Sequence, residues 1–345
     1  MNPTGENQTS EVAPREFDST EEPIANGILV RMAAPSVTVI MANYNGQSWI
    51  GQAIESVQRQ TLADWELIVV DDASTDASVD IVRAAAGNDQ RIVLLTSKVN
   101  AGPSVARNRA LARARGRWTT ILDSDDTFDD SRLSSLLAKG ESEGGGIIAD
   151  DLLIMNPGGV LTGHSLLKLQ TAKTFDASAL VKAPHLAYLK PMIRTELLSG
   201  LWYDERLRSG EDFDLLLRVL VRREAGLVVY PGMGYHYRRR IDSLSTNKSA
   251  DRQALRGMLE ANARFRASHA LSGRLGSACA SRHRSLEASL RWVDVTEAVH
   301  ERRFAAALRH TIDHPGVLRC AVQFFKKRFY RIVLRNRRRA ETLGL

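Results

Sequence analysis

The sequence predicts an α/β fold, a sheet flanked by helices and followed by a helical, basic extension. Three observations predict it. Short apolar runs rich in β-branched residues alternate with amphipathic stretches four times between Val37 and Leu122, as strands joined by crossover helices do. Polar clusters follow three of those runs: Asn43-Tyr44-Asn45, Asp71-Asp72 and Asp123 to Asp126. Together they mark the edge at which an open parallel sheet takes its ligand. From Thr246 onward the spacing turns helical, and 21 Lys and Arg stand against 8 Asp and Glu, a net +13 in a chain of +7.

That asymmetry leaves an acidic front and a basic rear, which predicts two parts with different partners. Residues 1–35 hold Pro, Glu, Asn, Thr and Ser without periodicity and read as a mobile tail, with a short ordered piece at Ile28 to Val30. Cys279 and Cys320 are too few for a disulfide framework or a cysteine metal site, which fits a reducing compartment. With no apolar signal core and no run approaching the eighteen or so apolar residues of a membrane span, a cytoplasmic location is expected.

The elements follow in order. Val37 to Ala42 is a buried strand, and Ser48 to Gln60 is a helix that buries Ile50, Ile54 and Val57, with Ser48 as its cap. Trp65 to Val70 is the second strand, Ser78 to Ala86 a helix, Ile92 to Thr96 the third strand and Ser104 to Ala114 a helix. Trp118 to Leu122 is the fourth strand. Its C-terminal end carries Asp123, Asp125 and Asp126, which repel one another unless a cation neutralises them. Hard ions such as Mg²⁺ or Mn²⁺ take such oxygen ligands and bring phosphates with them. Neither a Gly-x-Gly-x-x-Gly after the first strand nor a Gly-x-x-x-x-Gly-Lys-Ser/Thr is present, so a dinucleotide loop and a P-loop are both unsupported.

Four pieces, Val37 to Asn45, Trp65 to Asp76, Asn100 to Asn108 and Ile121 to Asp126, resemble the inverting family 2 glycosyltransferases of the GT-A fold. The likeness extends from Pro35 to about Ser245 and is greatest to bacterial exopolysaccharide glucosyltransferases. It implies a GT-A catalytic domain over 36–245, a Rossmann-like mixed sheet, and a helical basic region over 246–345. Ala42, Tyr44 and Asn45 would line the donor site, with Tyr44 stacked on the nucleotide base. Asp72 would accept a hydrogen bond from a uracil N–H, and Arg107 would lie near the donor's phosphates or ribose. Asp123 and Asp125 would form the Asp-x-Asp pair, Asp125 for the metal and Asp123 for the ribose, with Asp126 a reserve ligand. The Gln/Arg-x-x-Arg-Trp motif of processive members is absent, which favours addition of a single sugar.

Residues Ile147 to Asn156 suggest a strand or hairpin with a turn at Pro157-Gly158-Gly159. His164 and His185 are either acceptor contacts or solvated histidines. Pro191 to Asp204 then fits the family stretch that leads to a Glu-Asp motif, here Glu211-Asp212 at the head of the amphipathic run Phe213 to Arg223. The resemblance makes Asp212 the general base that a poorly nucleophilic sugar hydroxyl needs, with Glu211 orienting it. Without the resemblance, the two acids are ordinary first-turn residues favoured by the helix dipole. His236 would join the metal or phosphate site, and one or more of Arg238 to Arg240 would stabilise the departing diphosphate.

Farther on, Leu255, Met258 and Leu259, and then Leu286, Leu290 and Val293, recur at helical spacing. Val317 to Leu334 sets Val322, Phe325, Phe329, Ile332 and Val333 along one face beside Lys326, Lys327, Arg328, Arg331 and Arg335. Such a helix either lies on an anionic membrane surface or docks on the catalytic domain. No recognised nucleic-acid fold accompanies it.

The expectation is therefore a metal-dependent inverting transferase that uses Mg²⁺ or Mn²⁺. It would move a hexose, glucose by preference, from a UDP-sugar to a carbohydrate or lipid-linked oligosaccharide, peripheral on the inner membrane face. Two alternatives stand beside it: a sugar nucleotidylyltransferase, which would carry a Gly-rich basic loop after the first strand, and a nucleotide-sugar-binding protein without catalysis.

Overall fold

A computed structural model describes residues 34–207, 209–239, 251–313 and 316. The chain falls into two compact units, divided between Thr246 and Asn247. The expected N-terminal tail (all but its last two residues), the short piece at Ile28 to Val30, Arg240 and the helix from Val317 to Leu334 lie outside the described residues.

The first unit begins with β1 (Val37–Asn43), α1 (Ile50–Gln58), β2 (Trp65–Asp71), α2 (Ser78–Asn88), β3 (Ile92–Thr96), α3 (Pro103–Leu111) and β4 (Trp118–Ile121). β2 is buried along its whole length and β1 at all but one residue, which is why both read as continuous apolar runs rather than alternating ones. The helix expected to start at Ser48 begins instead after Trp49, and that position makes no side-chain capping bond. The sheet continues through β5 (Thr127–Phe128), β6 (Ile147–Met155), β7 (Leu161–Ser165), β8 (Lys173–Phe175), β9 (Met192–Arg194) and β10 (Leu227–Arg238). The helices α4 (Arg132–Glu143), α5 (Ala177–Lys182) and α6 (Glu211–Arg222) lie between them.

Among the described residues the ten strands form one sheet in the order β3-β2-β1-β4-β9-β6-β10-β5, with β7 on β6 and β8 on β10. The first four strands are mutually parallel, whereas β9 runs antiparallel to both β4 and β6. The sheet is thus mixed. Register sets the site: Asn43 lies opposite Asp71 across β1 and β2, and Ile40 lies opposite Ile121 across β1 and β4. The C-terminal ends of β1 to β4 therefore finish at one edge.

The other ends of these strands are locked by a buried carboxylate. Glu66 accepts from Thr38 Oγ1 at 2.6 Å, from the Arg115 amide at 2.8 Å and from Arg115 Nε at 2.9 Å. Gly116 follows, and a Cβ there would stand 2.4 Å from the Thr38 amide nitrogen, so only glycine lets the chain enter β4 so close to β1. Buried Trp65, Trp118, Leu67, Ile68 and Leu122 fill the core, each such side chain contributing about 1.5–3 kcal/mol.

The second unit pairs α7 (Asp251–Ser268) with α8 (Gly273–His300) and adds α9 (Phe304–Asp313). Arg252 on α7 reaches Asp294 at 2.8 Å and Glu297 at 2.5 Å on α8. Buried Asn262 donates to the Cys279 carbonyl at 3.3 Å.

Candidate active site

Three loops meet at the C-terminal edge. In the first, Asn43 Nδ2 donates to Asp71 Oδ2 at 2.8 Å, joining the ends of β1 and β2. Asn45 takes a left-handed φ of 50° and accepts the Thr75 amide at 2.9 Å. Tyr44, between them, is 53% exposed, and Ala42 is half-buried. Asp72 is buried at the end of β2, where its carboxylate accepts the Ala101 amide at 3.0 Å and the Gly102 amide at 2.7 Å. Gly102 adopts φ 95°, a left-handed conformation that a side chain would strain. Asp72 thereby anchors the entry to α3, and a carboxylate has lone pairs left for a further donor.

The acid loop follows β4. Asp126 is buried, with Oδ2 accepting Tyr235 Oη–H at 2.7 Å and Oδ1 accepting the Arg238 amide at 2.7 Å. Burial, with Asp125 and Asp123 nearby, pushes its carboxyl well above the ordinary range. The guanidinium of Arg238 donates from Nε to the Asp125 carbonyl at 2.7 Å, from Nη1 to the Pro157 carbonyl at 3.2 Å and from Nη2 to Gln52 Oε1 at 2.8 Å. Arg238, one of the three arginines from which a diphosphate contact is expected, thus staples the acid loop. Half-buried His236 stands opposite Thr127, whose Oγ1 lies 3.4 Å from His236 Nδ1. Burial lowers its pKa, and Asp129 and Asp150 oppose that.

A buried network joins the remaining candidates. Arg107 donates from Nη2 to Asp123 Oδ1 at 2.8 Å and from Nη1 to Glu211 Oε1 at 2.5 Å. Arg107 Nη1 also lies 3.3 Å from Asp212 Oδ1. Lys190 Nζ lies 2.8 Å from Asp123 Oδ2 and 2.5 Å from Asp212 Oδ2. Burial alone would raise the Asp123 pKa, but Lys190 and Arg107 hold it well below the usual carboxylate range. Burial would likewise lower Lys190, which Asp123 and Asp212 hold well above its ordinary value. Asp212 Oδ1 is buried and accepts no hydrogen bond.

One turn of α3 aligns this network. Ser104 donates to the Leu207 carbonyl at 3.0 Å, and Asn108 donates to the Tyr203 carbonyl at 3.0 Å and accepts the Tyr203 amide at 2.8 Å. Arg107 lies between them. The motif piece Asn100 to Asn108 therefore fastens the segment that leads into α6, with Glu211 and Asp212 in its first turn. Arg107 serves acids from two other elements rather than one on its own helix.

Lys190 was not singled out by sequence. The one available signal is a lone cation inside the apolar stretch Leu186 to Ile193, since a buried charge requires a partner. His164 and His185 are exposed and take no part in the network.

The profile of "Glycosyl transferase family 2" matches residues 38–194. The "Succinoglycan biosynthesis protein ExoO" of Rhizobium meliloti (strain 1021) is 32% identical over 299 residues, 83% of each chain. The "UDP-Glc:alpha-D-GlcNAc-diphosphoundecaprenol beta-1,3-glucosyltransferase WfgD" of Escherichia coli is 42% identical over 97 residues, 28% of this chain and 38% of that one. Among solved structures, S. aureus TarS 1-349 in complex with UDP-GlcNAc superposes with a TM-score of 0.58 at 19% identity, over 76% of this chain and 73% of that one. Mannosyltransferase PcManGT from Pyrobaculum calidifontis in complex with GDP-Man and Mn²⁺ does so at 0.56 and 16% identity, over 85% and 80%. Both share the α/β arrangement of the first unit.

Proposed function

Because the chain belongs to glycosyl transferase family 2, we propose that it transfers glucose from UDP-glucose, with inversion, to a lipid-linked oligosaccharide in bacterial exopolysaccharide synthesis. Residues 36–245 make up the catalytic domain and 246–345 a separate basic helical region. The observation that carries the reading is the asymmetry of Asp212, whose Oδ2 is held by Lys190 while Oδ1 accepts no hydrogen bond. The oxygen without a donor takes the proton of the acceptor hydroxyl as its oxygen attacks the anomeric carbon. The bond from that carbon to the diphosphate breaks in the same displacement, and its electron pair leaves on the phosphate oxygen. Glu211 keeps Arg107 in place beside the base. Tyr44 stacks on the base of the nucleotide, Asp72 accepts from the uracil, and Asp123, backed by Arg107, meets the ribose.

The names of two relatives support the sugar and the acceptor. One is a succinoglycan biosynthesis protein, and the other uses UDP-Glc on a diphosphoundecaprenol-linked sugar. Among the described residues no helix is long and apolar enough to cross a membrane. A lipid-linked acceptor would be met at the membrane face, with the basic rear of the chain toward anionic lipid.

A divalent ion fits the donor set in one way only. Among the described residues no three His, Cys, Asp or Glu side chains are grouped to hold a metal. Asp126 is engaged by Tyr235 and Arg238, and His236 is not grouped with the acid pair. Asp123 is held at both oxygens by Arg107 and Lys190, so the ligand that fits is Asp125, completed by diphosphate oxygens, the mode in which one or two carboxylates suffice. Such an ion would neutralise charge on the leaving diphosphate.

The test is transfer from a panel of nucleotide sugars to a lipid-linked acceptor, with donor hydrolysis followed in parallel, for the wild type and Asp212→Asn. Turnover should fall roughly 10²–10⁴-fold in the variant with donor affinity retained. Pyrophosphate exchange without sugar transfer would point to a nucleotidylyltransferase, and donor binding without any turnover would point to a binding protein.

A further inference from the structure

We propose that Lys190 is a positioning residue of the transfer. Its ammonium fixes Asp212 by one oxygen, leaving the other for the acceptor, and ties that base to Asp123 on the donor side. The inference rests on the reading of Asp212 as the base.

Two observations carry it. Among the described residues, the one hydrogen bond that the Asp212 carboxylate accepts comes from Lys190 Nζ. The same nitrogen lies 2.8 Å from Asp123 Oδ2, so one buried cation spans the two carboxylates assigned to opposite substrates. Arg107 cannot replace it, because Arg107 Nη1 is directed to Glu211 at 2.5 Å and stands 3.3 Å from Asp212 Oδ1 without a hydrogen bond.

The backbone that carries Lys190 is itself fixed. Lys190 takes φ 49° and ψ 67°, a left-handed conformation that a non-glycine residue keeps only where its surroundings over-determine it. Those surroundings are present. The Lys190 carbonyl accepts Arg132 Nη2 at 3.0 Å and Thr120 Oγ1 at 3.2 Å, and Arg132 is anchored by Asp150 at 3.0 Å. Pro191 follows directly and restricts the chain further. The backbone beneath the ammonium is thus held by β4 and α4 rather than left at a loop tip. Two acids could be neutralised by any nearby cation, but holding one of them to a fraction of an ångström needs a rigid base such as this.

The experiment is a double-mutant cycle of Lys190→Met and Asp212→Asn, read as transfer kcat, donor KM and melting temperature. Met keeps most of the stem and removes the charge. Misplacing a base by about 1 Å can reduce turnover about 10²-fold, so K190M should lose about that much kcat with donor KM within about threefold of wild type. In the D212N background K190M should add no further loss, since a residue acting through another has nothing left to position. Because K190M leaves two buried acids with one cation fewer, K190R carries the test if K190M does not fold. Its planar fork should reduce kcat about tenfold at a near-wild-type melting temperature. A wild-type kcat in either variant overturns the proposal. So does a loss that persists in full in the D212N background, or a donor KM that rises in step with the loss of kcat. D212N alone at wild-type kcat would overturn the base assignment itself, an outcome distinct from the others.

Discussion

Tyr235 donates its hydroxyl to Asp126 at 2.7 Å beneath the acid loop, and this bond separates the third acid of the run from the two before it. Asp126 is held inside the protein by β10, whereas Asp123 and Asp125 remain at the sheet edge. The neutral isostere Asp126→Asn should therefore keep metal-dependent turnover within about threefold of wild type, since an amide can serve the same two partners. Asp125→Ala should abolish turnover and the metal dependence of donor binding while the fold persists. Titrating activity with Mn²⁺ after chelator treatment checks both. Metal dependence intact in D125A would sink the ligand assignment.

Tyr44 is half exposed at the end of β1, where a nucleotide base can cover its ring. Stacking of a base on an aromatic ring contributes about 1–3 kcal/mol. Tyr44→Ala should therefore raise donor Kd about 5- to 150-fold, and Tyr44→Phe should leave it near wild type. Calorimetry with UDP measures this directly. An unchanged Kd in Y44A would show that the ring serves something else.

Arg238 binds the carbonyls of Asp125 and Pro157 and the side chain of Gln52. Replacing it by Met removes the donor from three part-buried bonds, at about 1 kcal/mol for each. A domain of this size loses about 2–4 °C per kcal/mol, so the melting transition should fall by at least about 5 °C. A thermal melt within about 1 °C of wild type would show that the staple contributes little.

Gly102 holds φ 95° while its amide bonds Asp72. Gly102→Ala should destabilise the protein by about 1 kcal/mol or more and weaken UDP binding through the displaced Asp72. Denaturant unfolding with and without UDP separates the two effects.

Much of this architecture was readable before any coordinates. β1 and β2 are buried almost throughout and β4 at three of its four residues, so each appears as an apolar or β-branched run, and the polar residues at or just beyond the ends of β1, β2 and β4 are the ones that reach the ligand edge. The Glu-Asp pair stands out only through the family resemblance of the stretch before it, since acids at the head of an amphipathic run are otherwise ordinary first-turn residues. β9 was not readable: Met192–Arg194 has three residues, too few for any period to show, and it forms because β4 and β6 both offer it an edge. Ser48 looked like a cap by residue type, yet the chain turns at Trp49 and caps nothing with a side chain. Lys190 was hidden for a related reason. Its partners are 67 and 22 positions away in the chain, and only tertiary packing brings them to it. The bonds of Arg238 and Asp126 were hidden for the same cause, since β10 meets the acid loop only in the folded chain.

The hold of α3 on the segment before α6 has a consequence for swapping parts between related enzymes. Ser104 and Asn108 grip that segment through the Leu207 carbonyl and the Tyr203 amide and carbonyl, groups that most residue types supply. These bonds run to backbone atoms, so the side chains of the gripped segment can diverge without loosening it, provided that Lys190, earlier in the chain, keeps its place beside Asp212. A chimaera that imports residues 203–210 from another family member needs to match the segment's length and these backbone hydrogen bonds. That segment is in this sense a replaceable part mounted on a fixed frame.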